Sequence, residues 1–87
     1  MEVKFVRENN TPVVTDWVGV TTNDIGKVMW YRTDATGKIL KNQFIQIGTN
    51  IYYLDNNGIM VTGQYTINGK VYNFETAVGA TEGRFLY

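Results

Sequence analysis

The chain repeats itself at a step of about 21 residues, a period that marks solenoids and arrays. Gly37, Gly58 and Gly79 are evenly spaced, and ahead of them Trp30-Tyr31-Arg32, Ile51-Tyr52-Tyr53 and Tyr72-Asn73-Phe74 keep one register. A second series, Thr15-Asp16-Trp17, Asn42-Gln43-Phe44, Gly63-Gln64-Tyr65 and Gly83-Arg84-Phe85, puts an aromatic at the start of each unit. In such arrays one supersecondary unit cannot bury its own face and must stack on its neighbours. A surface built by repetition is a binding surface by construction.

The repeating unit reads as a β-hairpin. No stretch sustains apolar residues at helical spacing, because Gly or Asn interrupts each candidate. Asn68-Gly69 between Tyr65-Thr66-Ile67 and Lys70-Val71-Tyr72-Asn73-Phe74 predicts a type I′ turn. Gly48-Thr49 stands in the same place between Phe44–Ile47 and Asn50–Leu54. The first unit runs from Trp17–Val20 through Asn23, Asp24 and Gly26 to Val28–Tyr31, the same hairpin with about five extra turn residues, a length loops tolerate at small entropic cost. Asp34-Ala35-Thr36-Gly37, Asp55-Asn56-Asn57-Gly58 and Thr76-Ala77-Val78-Gly79 add a second turn per unit. Connectors this short hold no crossover helix, so successive hairpins lie side by side or stack with a constant rotation. The expected fold is all-β: a β-hairpin solenoid of about three units plus a terminal half unit. It forms a single domain, 1–87, with a strand-like cap at 1–14, units at 15–41, 42–62 and 63–82, and a truncated fourth unit at 83–87.

Composition narrows the function. A chain of 87 residues builds one small core, so its two Trp, six Tyr and four Phe must supply both cohesion and contact surface. Eight basic and eight acidic residues cancel, and no basic run alternates with aromatics, so no nucleic-acid footprint is present. No apolar run approaches the roughly 18 residues of a membrane span, and residues 1–10 are too charged for a secretory signal. The expected location is therefore extracellular or at the cell surface if the chain belongs to a larger exported protein, and cytoplasmic if Met1 is the native start. With neither Cys nor His, the chain lacks the usual nucleophile, base and metal-ligand types. Its carboxylates are scattered, and Asp34 and Asp55 hold matching turn positions, which suits turn formers better than a catalytic pair. Asp24 with Asn23, and Asp55 with Asn56 and Asn57, lack the ligand spacing of a calcium loop. No enzyme activity, cofactor or metal is expected.

The run Gly48-Thr49-Asn50-Ile51-Tyr52-Tyr53-Leu54-Asp55-Asn56-Asn57-Gly58-Ile59-Met60-Val61-Thr62-Gly63 resembles the bacterial cell-wall-binding repeat. That family includes choline-binding and glucan-binding modules and the C-terminal repeats of large clostridial toxins. Its pattern is a Gly-Lys-Trp-Tyr-Tyr-Phe strand, an Asp/Asn-Gly turn, a Met two residues after the turn Gly, then Thr-Gly-Trp. The resemblance covers residues 15–87 and is densest over 42–74. It implies a solenoid that docks on choline-bearing wall polymer or surface glycan, with cages of two aromatics from one hairpin and one from the next, often closed by the Met. Carried onto this sequence, the first cage is Trp17 and Trp30 with Tyr53. The second is Phe44, Tyr52 and Phe74 with Met60. The third, Tyr65 and Tyr72, lacks a following hairpin. Ile51 stands where the family has Trp, Asn73 replaces a Tyr, and the ring of Gly63-Gln64-Tyr65 is displaced by one residue. In a strand such a displacement moves a side chain to the opposite face.

Electron-rich ring faces suit a quaternary ammonium, which has no N–H to donate. The same rings also serve as solenoid core, and Met60 as a filler of core gaps. A glycan ligand would use the rings as platforms, assisted by Asn56, Asn57, Gln64 and Asn73. A second function class is a small protein-protein interaction module or inhibitor, of phage or mobile-element origin, that reuses the scaffold and its exposed strand edges. Phe85-Leu86-Tyr87 starts a hairpin without its partner strand, which predicts a homo-oligomer through the C-terminal end.

Overall fold

The computed structural model describes residues 5–7, 9–21 and 28–87. Asn68 and Gly69 both take positive φ, 51° and 83°, as a type I′ turn requires, and they fold β5 (Gly63–Ile67) onto β6 (Lys70–Phe74). Gly48, with φ of 61°, does the same between β3 (Gln43–Ile47) and β4 (Asn50–Leu54). The first hairpin joins β1 (Trp17–Thr21) to β2 (Val28–Arg32), and its expected turn insertion lies outside the described residues. The three hairpins form three separate two-stranded antiparallel sheets, in agreement with the all-β hairpin solenoid read from the sequence.

A lone two-stranded hairpin is marginal in water, so cohesion comes from stacking. The connector after each hairpin reaches back to the hairpin before it. Met60 donates its amide to the Trp30 carbonyl at 2.8 Å, and Phe85 donates to Ile51 at 2.6 Å. Single bridges Thr33–Ile39, Leu54–Met60 and Phe74–Phe85 mark the same place in successive units. Thr33, Leu54 and Phe74 are the most deeply buried side chains, each at 1% exposure or less. The Thr33 hydroxyl meets both backbone groups of Asp16, at 3.2 and 3.3 Å, and so is satisfied where the other units carry hydrocarbon.

The repeat step is not constant. Leu40, Val61 and Leu86 donate their amides to Arg32, Tyr53 and Asn73, so Val71-Tyr72-Asn73, rather than the expected Tyr72-Asn73-Phe74, repeats Trp30-Tyr31-Arg32. The left-handed residue opening each unit explains the shift. Thr15 and Asn42 lie ahead of their strands, whereas Gly63 is itself the first residue of β5.

Nor is Phe85-Leu86-Tyr87 an unpartnered strand. Leu86 donates to Asn73 at 2.8 Å and Asn73 donates to Tyr87 at 2.7 Å, so the segment fills the place that Met60-Val61 holds one unit earlier. At the other end, Val6 bridges Pro12 and the Phe5 ring lies 5.4 Å from Tyr31, against the first hairpin.

Gly58 sits in a second turn at φ of 85°, where a Cβ would lie 2.6 Å from the Ile39 side chain. Gly69 has φ of 83° but open space around it. Gly58→Ala and Gly69→Ala should therefore share a backbone penalty of about 1 kcal/mol, and Gly58→Ala should lose roughly 1–3 kcal/mol more through overpacking. Urea denaturation of the two variants measures the difference.

In the second turn of the first unit, Asp34 Oδ1 accepts from the Thr36 hydroxyl (2.7 Å) and amide (2.8 Å) and from the Lys38 amide (3.0 Å). These bonds, the Thr36 pair first, hold its carboxyl below the ordinary value of 3.8. A carboxyl lowered on folding stabilises above its unfolded value and loses that contribution as pH falls through the folded one. Asp34→Ala should thus be less stable than the parent near neutrality, with the gap narrowing below pH 3.8, as followed by thermal melts across pH.

Candidate functional site

Strand alternation decides which rings meet. Trp17 pairs with Arg32 and Gly19 with Trp30 across the first hairpin, so both indoles project from one face. Gly19 leaves room for that arrangement: a Cβ there would lie 2.9 Å from Cζ3 of Trp30. The second hairpin contributes Tyr52, 5% exposed, whose ring meets Trp17 edge to face at 5.2 Å. Met60, anchored by its amide on Trp30, adds a thioether that lies against Gly83, where a Cβ would come within 2.5 Å of its sulfur. These groups line a cavity of about 210 Å³ that is open to solvent on one side, and the segment after β6 completes the lining with Gly79, Ala80 and Glu82. Glu82 is the one residue of the described lining that carries a carboxyl side chain. The Arg32 guanidinium lies 5.4 Å from the Trp17 ring centre but outside that lining, so the ring already faces one cation.

The structure regroups the residues expected to form cages. Trp17 and Trp30 stand together, but their third wall is Tyr52 and not Tyr53. Tyr53 is paired with Phe44 across the second hairpin, with rings 4.8 Å apart, and turns toward Tyr65 at 6.0 Å. The expected set Phe44, Tyr52, Phe74 and Met60 is divided, because Tyr52 lies opposite Ile45 while Phe44 lies opposite Tyr53. Tyr52 and Met60 join the indoles, and Phe74 is core, 6.0 Å from Phe85. Tyr65 and Tyr72 are a cross-strand pair, but Tyr72 faces back to Phe44 at 5.5 Å instead of waiting for a further hairpin.

Phe44–Tyr72 is the Trp17–Tyr52 contact one unit on: both are edge to face and both join consecutive hairpins. At this second position Ile51 replaces Trp30 and Phe85 replaces Met60, as their shared amide-carbonyl bond shows. Ile51 offers no π face, so the second position has no indole, and its rings are those of Phe44, Tyr72 and Phe85. Glu82, Gly79 and Ala80 were not expected at the site, Gly79 being read only as a turn residue, and no spacing rule would have brought them beside Trp17.

Residues 42–60 match the family model of the cell wall binding repeat. Among solved structures, the chain is similar to the multimodular pneumococcal cell wall endolysin from phage Cp-1 complexed with choline (24% identity, TM-score 0.72), covering 95% of this chain and 21% of that one. It is also similar to choline binding protein F from Streptococcus pneumoniae (25%, TM-score 0.67), covering 88% and 22%. A third likeness is to the choline binding domain of Spr1274 in Streptococcus pneumoniae (20%, TM-score 0.67), covering 99% and 86%. This chain thus spans about a fifth of the endolysin's length. Curated protein sequences give no match.

Because Tyr52 and not Tyr53 touches Trp17, Tyr52→Ala should shift the tryptophan emission to longer wavelength while Tyr53→Ala leaves it nearly unchanged. Steady-state fluorescence of the folded variants distinguishes them.

Proposed function

We propose that this chain, which carries the cell wall binding repeat in a fold shared with choline-binding domains, is a non-catalytic module that holds a quaternary ammonium group of a choline-bearing wall polymer. The observation that carries this reading is the lining of one open cavity by two indoles, a phenol ring and a thioether drawn from consecutive units. A trimethylammonium group has no proton to donate, so hydrogen-bonding walls gain nothing from it. Ring faces attract it through their quadrupoles by about 0.5–2 kcal/mol each, more as water is excluded. Its methyl groups bury against the rings and the Met60 thioether at the same time. Nothing in this arrangement calls for bond making or breaking, so the reading assigns attachment at a cell surface and no reaction.

Choline titrated into the protein should change tryptophan emission in a single saturable step. Trp30→Ala should abolish that step and cost a few kcal/mol of stability, since the ring also packs. No response to millimolar choline from the folded parent would overturn the reading, and a response to dextran alone would transfer the pocket to glycans. Ile51→Trp supplies the indole missing between the second and third hairpins, and calorimetry should then register a second choline per chain. A stoichiometry that stays at the parent value would show that Phe85 closes that position whatever residue 51 is.

A further inference from the structure

The geometry points to Glu82 as the residue that makes the pocket select a cation over a neutral group of the same shape, an inference that rests on the pocket being a binding site for such groups. Rings and a thioether alone discriminate weakly here, because a tert-butyl group buries nearly the same surface as trimethylammonium and forfeits only the quadrupole attraction. A carboxylate in the wall changes that balance. It attracts the cation directly, and it must be partly desolvated when a neutral occupant covers it.

Glu82 is half-buried in the lining, and no hydrogen bond or ion pair to a described residue engages its carboxylate. The nearby cations are committed elsewhere: Arg84 is ion-paired with Glu75 at 3.8 Å, and Arg32 lies over Trp17 outside the lining. The segment is also held in place. Gly83 donates to Glu75 and Glu75 to Arg84, both at 2.8 Å, while Glu82 donates to Gly79 at 3.2 Å. Gly83, with φ of 84°, lets the chain press against Met60, so Glu82 is set beside the same side chain that closes the cage. The earlier connectors run only from Thr33 to Ile39 and from Leu54 to Met60 before bridging, whereas the third runs from Phe74 to Phe85. That added length brings a charge from the third unit to a cavity between the first two.

The test compares choline with its uncharged carbon isostere, 3,3-dimethylbutan-1-ol, by calorimetry on the parent, Glu82→Gln and Glu82→Asp, with thermal melts confirming the fold. Glu82→Gln should weaken choline by roughly tenfold, leave the alcohol bound as tightly or more tightly, and remove the decline of choline affinity with added salt. Glu82→Asp should keep that salt dependence. Unchanged choline affinity in Glu82→Gln, or equal losses for both ligands, would overturn the role of Glu82 while the binding reading stands. Failure of both ligands to bind the folded parent would overturn the two together.

Discussion

Thr33, Leu54 and Phe74 occupy one position in three successive units, and water reaches none of them. Everything else in the molecule depends on that row being closed. Each hairpin is a two-stranded ribbon that would be marginal by itself, and no ladder of hydrogen bonds runs from one ribbon to the next. What joins them is the connector that returns from one hairpin to bond the previous one, as Met60 does to Trp30 and Phe85 to Ile51. Apolar closure of the axis then forces the outer faces of neighbouring hairpins together.

The pocket is a product of that closure. Consecutive hairpins meet through an aromatic pair, Trp17 with Tyr52 and Phe44 with Tyr72, and two further residues beside each pair differ between the units. With Trp30 and Met60 there, a cavity remains. With Ile51 and Phe85 there, no indole is present, and the Phe85 ring lies 5.8 Å from Tyr72. The scaffold is thus constant and the recognition chemistry local, a separation that repeat architectures permit because each unit touches only its neighbours.

Much of this was legible in the chain. The Asn68-Gly69 and Gly48-Thr49 turns fix their hairpins, and the spacing of Gly37 and Gly58 fixes the connectors. The composition of the site was legible only in part. Tyr52 and Tyr53 are neighbours in sequence and project to opposite faces, so a grouping made by unit and not by face exchanges them. The pairing about Gly48-Thr49 already contains the answer, since it sets Phe44 against Tyr53 and Ile45 against Tyr52. The third unit misled for another reason: Gly63 absorbs into the strand a turn position that Thr15 and Asn42 keep outside it, and a fixed step cannot register that. Glu82 was invisible because its place depends on the path of an irregular segment, for which the sequence has no periodic signal.

The cavity wall draws both on Trp17, in the first hairpin, and on Glu82, in the segment after the third. An array of this kind ordinarily frays from its termini, one unit at a time, because loss of an end unit exposes only one interface. Here separation of the first hairpin from the segment after the third also dismantles the cavity. A group filling that cavity would therefore act as a clasp between the first hairpin and the segment after the third, and would couple their separation. Occupancy and integrity would then be one equilibrium, since whatever binds only the assembled arrangement stabilises it.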